Sequence, residues 1–254
     1  MFFPSKIPMP MTVVPECGLC KASPMRIGII GGTGPAGSGL ALRMSVAGHQ
    51  VLIGSRSKER SEEKVAELIA QWPDHNLKIE TGTNEDAAHC DLIVVATPWD
   101  STATIVGEYA DALRGKVVIT MANALVKVGK EFQPLVPPRG SIAAHVQAEI
   151  PESRVVAAMQ HLPAKELGNL HHHVDSDVLI CSDFPEAIEI VSDLVAQIPG
   201  CRPLSTGRLS NALALEAFTA VLLQLNVRYK TRVAPRLTGI PDVDPKSGRN
   251  MKLD

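Results

Sequence analysis

The sequence predicts a doubly wound, mostly parallel α/β sheet, continued by a small C-terminal α/β extension that ends in a long helix. Three observations lead there. Short apolar runs without polar alternation, such as 27–30 and 91–96, suit strands covered on both faces. Amphipathic helical segments alternate with those runs, the order that builds a parallel sheet. A glycine cluster, Gly31, Gly32, Gly34 and Gly37, separates the first run from the first helix.

The first strand is 27–30, and Leu40, Ala41, Leu42 and Met44 follow at helical spacing. Between them, Gly32, Gly34 and Gly37, with Thr33, Pro35 and Ala36, satisfy the G-x-G-x-x-G pattern in its strand-turn-helix setting. That is the Rossmann-type dinucleotide fingerprint, whose amides face a diphosphate. The second strand, 50–54, ends in Ser55 and Arg56, with Lys58 and Arg60 just beyond. An acidic residue at that place would accept from ribose hydroxyls and repel a 2′-phosphate. A hydroxyl and guanidinium pairs bind one, so the sequence predicts NADP(H), not NAD(H).

A charged helix follows over 58–71, then a strand at 77–80 and a short helix at 84–89. The run 91–96 is a buried strand, and Thr97, Pro98, Trp99 and Ser101 follow its C-terminal end, where open α/β sheets bind ligands. A helix over 101–113, a strand at 117–120 and a long excursion through 134–138 complete the first half. The second half reads as helix 141–149, strands 154–159 and 178–181, helix 185–197 and strand 202–205. The last helix, 210–227, is apolar on more than one face, and a second subunit is its expected neighbour. We expect four segments: a poorly ordered leader (1–24, five prolines), an NADP-binding region (25–160), a C-terminal region completing the cleft (161–241) and a tail (242–254).

A chain of 254 residues can bury such a core with an appendage. A net charge of −2 gives no electrostatic reason for nucleic-acid binding; only Arg228, Lys230, Arg232 and Arg236 cluster, a run suited to a small polyanion. The cysteines, at 17, 20, 90, 181 and 201, form no disulfide framework and point to the cytoplasm. Cys17 and Cys20 have knuckle spacing without the second pair that zinc needs. Adjacent histidines 171–173 cannot all face one ion, so no metal site is expected. The best apolar stretch, 213–227, falls short of the roughly eighteen residues a membrane span needs and is interrupted by Glu216 and Gln224; a soluble protein is expected. G-x-S-x-G is absent, which argues against a serine hydrolase.

The stretch 25–34 (MRIGIIGGTG), Gly39-Leu40-Ala41-Leu42-Arg43, Gly54-Ser55-Arg56, Pro98-Trp99, Leu162-Pro163-Ala164 and Arg202-Pro203-Leu204 together resemble the F420-dependent NADP reductases. Leu209-Ser210-Asn211, Glu216 and Thr219 belong to the same resemblance, which runs from Met25 to about Pro241. It implies hydride transfer between the deazaflavin coenzyme F420 and nicotinamide, by ring stacking and without an acid or base. It places Thr33, Gly34, Pro35 and Ala36 at the pyrophosphate, Ser55, Arg56 and Arg60 at the 2′-phosphate, and Thr97, Ser101 and Ala164 along the nicotinamide half. His161, Leu162 and Pro163 are ring-positioning candidates, with His161 open between cofactor contact and structural hydrogen bonding. Trp99 is open between closing over a ring and capping the sheet. Asn211 reads as a ligand contact, Glu216 as a pairing within its helix. Where some members carry histidine, arginine and serine, this chain has Gln160, Leu213 and Ala217, and Arg228, Lys230 or Arg236 is the expected replacement cation. Two other classes share the fold: a soluble NADPH-dependent flavin or ferric reductase, and a non-catalytic module sensing NADP(H).

Overall fold

A computed structural model describes residues 23–240. Most of the expected leader, the Cys17 and Cys20 pair and the expected tail lie outside the described residues. The first half runs β1 (Arg26–Ile30), α1 (Pro35–Val46), β2 (Gln50–Ser55), α2 (Lys58–Gln71), β3 (Ile79–Thr83), α3 (Asn84–Ala88), β4 (Leu92–Val95), α4 (Trp99–Glu108), α5 (Ala110–Leu113) and β5 (Val117–Thr120). It continues through β6 (Leu125–Val128), β7 (Glu131–Pro134), α6 (Ile142–Glu149) and β8 (Arg154–Ala157). The remainder is α7 (Ala164–Leu167), β9 (Ser176–Ile180), α8 (Pro185–Val195), β10 (Cys201–Ser205), a 3₁₀ turn (Leu209–Asn211) and α9 (Ala212–Tyr229).

The main sheet has the order β3-β2-β1-β4-β5-β8, and every pairing is parallel. Order reverses between β1 and β4, which opens a crevice at their C-terminal ends. Successive strand residues point to opposite faces, and both faces are covered. Ile27 and Ile29 join a core formed with α1, α2 and α8, while Ile30, Ile93 and Val118 join one formed with α4, α6 and α9. This double covering is why the strands read as unbroken apolar runs. β9 and β10 form a separate parallel pair, tied to the main sheet by an antiparallel bridge between Ala157 and Cys181.

Several boundaries differ from expectation for local reasons. β3 starts two residues late and extends to Thr83, which ends the strand and opens α3 through a capping box with Asp86. The helix expected over 101–113 begins at Trp99, with the Thr102 hydroxyl donating to the Pro98 carbonyl at 2.9 Å, and breaks at Tyr109. The excursion after β5 contains the β6–β7 hairpin; Val126, Lys127, Val128 and Glu131 are exposed, so no buried face marks it in sequence. β8 stops at Ala157 because Met159 adopts φ 65°, a left-handed conformation costly for a side chain of this size.

Contrary to expectation, Leu209–Tyr229 is long and apolar enough by length and composition to cross a membrane. A third of that span is buried, and its Glu216 is enclosed. Glu216 does not pair within its own helix. Its two oxygens accept from the amides of Ile142 and Ala143 at 2.9 and 3.0 Å, capping α6 from a distance. Burial pushes this carboxyl up to about 7 against the pull of those amides. The three cysteines among the described residues are free thiols, and burial raises those of Cys181 and Cys201 to about 12, which keeps them protonated and inert.

Candidate functional site

The glycine turn is fixed from three sides. Gly31 takes φ 70°, and its amide donates to the Asn84 side chain at 3.0 Å. The Gly32 amide donates to the Gly54 carbonyl at the end of β2, at 2.9 Å. A Cβ on Gly37 would lie 2.8 Å from the Gly32 backbone, so that glycine permits helix and turn to touch. Gly34 is different: a Cβ there would meet nothing nearer than the Gly31 carbonyl at 3.9 Å. Its missing side chain leaves open space on the outer side of the turn. Gly34 also heads α1 without any side-chain cap, so the first-turn amides are available to an external anion. Ser55, buried at the end of β2, and Arg56 and Arg60, both exposed, flank the same strand end and present hydroxyl and guanidinium donors.

A cleft of about 520 Å³ lies beyond the C-terminal ends of β4, β5 and β8. After β4 come Thr97, Pro98 and Trp99; after β5, Met121 and Asn123; after β8, the segment from Gln160 through Ala164. Thr219 and Leu222 of α9 face them. The floor is held by a short chain of bonds. The Thr219 hydroxyl donates to the Asn123 side chain at 3.2 Å, and the Asn123 amide donates to the Gln160 carbonyl at 2.9 Å. Asn123 was not singled out from sequence, since one asparagine after a strand carries no signal there.

Two buried side chains in this cleft keep unused hydrogen-bonding capacity. Gln160 is 6% exposed, yet neither its amide nitrogen nor its oxygen has a partner. His161 is 4% exposed; its Nε2 sits 2.9 Å from the Asp177 carbonyl and 3.2 Å from the Leu179 amide of β9, while its Nδ1 has no partner. Burial lowers the His161 pKa, so the ring is held neutral. Buried polar atoms without partners are costly and mark where a ligand would supply the missing bond. A primary amide offers a donor and an acceptor side by side, which fits a ring edge or carboxamide of the same pattern. The open turn and the orphaned amide therefore suit a dinucleotide and a second planar group.

Other expected residues fall elsewhere. Asn211 is exposed on the 3₁₀ turn, bonded to the Thr206 carbonyl, away from the cleft lining. The Ser101 hydroxyl donates to the Pro98 carbonyl at 3.1 Å and lies off the lining. Leu213 and Ala217 also lie off the lining, whereas Gln160 is in it. Of the replacement cations, Arg236 is engaged by Asp175 and Asp177 at 3.4 and 3.3 Å, and Arg228 and Lys230 are exposed beside the cleft rather than on it. The cation that does line the cleft from this run is Arg232. Among the described residues no cluster of histidines, cysteines and carboxylates could hold a metal. His171 instead packs edge-on to Trp72 with ring centres 4.7 Å apart.

The family model for coenzyme F420-dependent NADP oxidoreductases matches residues 26–124. An F420-dependent NADP reductase of Methanocaldococcus jannaschii is 37% identical over 213 residues, spanning 82% of this chain and 95% of that protein. One from Methanothermobacter thermautotrophicus is 33% identical, spanning 88% of this chain and 99% of that protein. A solved Arthrobacter structure described as a candidate F420-dependent NADP-reductase shares the fold, with a TM-score of 0.70 at 24% identity, covering 82% of this chain and 96% of that one. Identity at this level along almost the entire length of the archaeal proteins establishes that the chain belongs to the F420-dependent NADP reductase family.

Proposed function

We propose that the protein is an F420:NADP oxidoreductase. When bound together, NADP(H) and F420 supply hydride exchange between nicotinamide and deazaflavin. The observation that carries this reading is the cleft at the ends of β4, β5 and β8, whose Thr97 side chain abuts Gly31 of the turn and whose lining includes the orphaned Gln160 amide. Gly32, Thr33, Gly34, Pro35, Ala36 and Gln160's neighbours divide the work. The turn and the first amides of α1 hold the diphosphate. Ser55, Arg56 and Arg60 hold the 2′-phosphate, which excludes NAD(H). Thr97, Pro98, Trp99 and Ala164 border the nicotinamide. Met121, Leu162, Pro163 and Leu222 are apolar walls that keep water from the rings. His161 is a positioning residue, its ring fixed by β9, and no side chain has to move a proton in the hydride step.

The division into 25–160 and 161–241 follows that labour, the first binding NADP(H) and the second completing the deazaflavin side. Val221, Val227 and Tyr229 are large apolar side chains left exposed on α9, which supports a homodimer. Free thiols support a reducing, cytoplasmic setting.

The test is turnover of NADPH with oxidised F420, followed by loss of the deazaflavin's visible absorbance, beside FAD and FMN at equal concentration. Turnover with F420 and none with either flavin is expected. Preference for a flavin would move the protein to the flavin reductases, and tight NADPH binding without oxidation by any of the three would make it a sensor.

A further inference from the structure

After α9 the chain does not trail away. Lys230 takes φ 52° and ends the helix, and the segment 231–240 turns back as a strap along β9 and β10. Its root is Asp177, fully buried at the start of β9. The Asp177 amide donates to the Pro235 carbonyl at 2.7 Å, and its carboxylate accepts from the Leu237 amide at 2.6 Å. Arg202 holds both carboxylate oxygens at 2.8 Å and also donates to the carbonyls of Leu237 and Ile240 at 2.9 and 2.8 Å. Burial alone would raise the Asp177 pKa, but Arg202, the Leu237 amide and Arg236 together hold it below the ordinary value. At the other end, the Val233 amide donates to the Asn226 side chain.

Immediately before the Val233 anchor stands Arg232. It lines the rim of the cleft, its side chain half exposed, and pairs with Glu166 of α7 at 2.5 Å. Lys165 lines the same rim. Lys165 and Arg232 are the cations that share the cleft lining with Met121, Leu162 and Leu222, and so the ones open to a hydrophilic substituent of a ring lying against those apolar walls.

Resting on the F420 reading above, we propose that Arg232 is the receptor for the phosphate-bearing tail of F420. Glu166 occupies the guanidinium in the free protein, and the tail phosphate displaces it on binding. The strap exists in part to deliver this charge. A guanidinium matches a phosphate with two parallel charge-assisted bonds, in exchange for the contact with Glu166 that it gives up. The site specifies the tailed coenzyme over the bare ring.

The experiment is titration of full-length protein with oxidised F420, read by the coenzyme's fluorescence without NADP(H), and with a tail-less deazaflavin carrying only its ribityl chain. Arg232→Ala should weaken F420 about tenfold or more, and leave the tail-less ring and NADPH within about twofold of wild type. Arg232→Lys should restore roughly half of the lost factor or more, because charge returns without the fork. Glu166→Gln should tighten F420 by a few fold, roughly the release of one screened competing charge. Rising salt should weaken F420 for wild type more than for Arg232→Ala. Unchanged F420 affinity in Arg232→Ala overturns the assignment, as does equal weakening of F420, the tail-less ring and NADPH, or weaker F420 binding in Glu166→Gln. Failure of the wild type to bind F420 while it binds NADPH would overturn the functional reading itself, and this assignment with it.

Discussion

At the scale of single residues, two glycines three positions apart carry opposite burdens. Gly37 sits where any Cβ strikes the Gly32 backbone, while the Gly34 position opens outward. Gly37→Ala should therefore lower stability by about 1–3 kcal/mol in urea unfolding, the usual cost of forcing packed backbone apart. Gly34→Ala should cost less than about 1 kcal/mol, mainly as a poorer helix start. Its loss should appear in NADPH affinity instead, since the methyl occupies the space a diphosphate needs. Equal stability losses in the two variants would refute that distinction. At the other end of the nucleotide, Arg56→Glu should raise the Michaelis constant for NADP by about one to two orders of magnitude, a charge-assisted pair replaced by repulsion. The expectation at all three positions comes from the chain alone because the chemistry behind it is local. The exchange of an acidic residue for Ser55 and Arg56 needs only its place after β2. The Asn123 relay was not legible: it exists only because β5, the segment after β8 and α9 converge.

At the scale of elements, Glu216 ties α9 to α6 and puts a titration into the fold. Its folded pKa of about 7 lies above the ordinary carboxylate value, so the folded state keeps a proton that the unfolded state releases. Its contribution is fully present below the unfolded value and is lost as pH rises through about 7. The magnitude is on the order of 3 kcal/mol. Glu216→Gln does not ionise, and the wild type minus variant difference in unfolding free energy should fall between about pH 4.5 and about pH 7. A flat difference across that range would show that the carboxyl titrates as in the unfolded chain. His161, whose pKa burial lowers, contributes with the opposite sign, its stabilisation present at higher pH and lost as pH falls. Taking the difference between the two proteins cancels it. Periodicity placed α2 and α9 well, since each carries apolar residues at helical spacing through several turns. It missed α7 and the hairpin β6–β7, which are four-residue elements with little or no buried face.

For the whole molecule, the apolar side chains left exposed on α9 bear on the proposed dimer. Val221 is 51% exposed and Val227 54% in the single chain, on a helix whose opposite face packs on α6 and the sheet. Val221→Glu should convert a dimer to a monomer in sedimentation velocity while leaving the far-ultraviolet spectrum unchanged; a wild-type monomer would remove the dimer reading. The candidate membrane span belongs to the same helix. Glu216 in its first half is engaged by two backbone amides of α6, a contact that withdrawing the helix into lipid would break.

The amino-acid sequence by itself determined the parallel sheet, the nucleotide it prefers and the family, because each is written in contiguous residues whose meaning is local: apolar runs, a glycine turn, a strand ending in serine and arginine. Tertiary structure alone decided which polar atoms go unpartnered and which cation reaches the cleft. That Gln160 and His161 keep polar atoms without partners appears only once burial strips them of water, and Arg232 is indistinguishable from Arg228 or Arg236 until the Asp177 anchor sets where the strap runs. Spacing along a chain does not encode such meetings, because they depend on how segments far apart in sequence pack and on the solvent that packing removes.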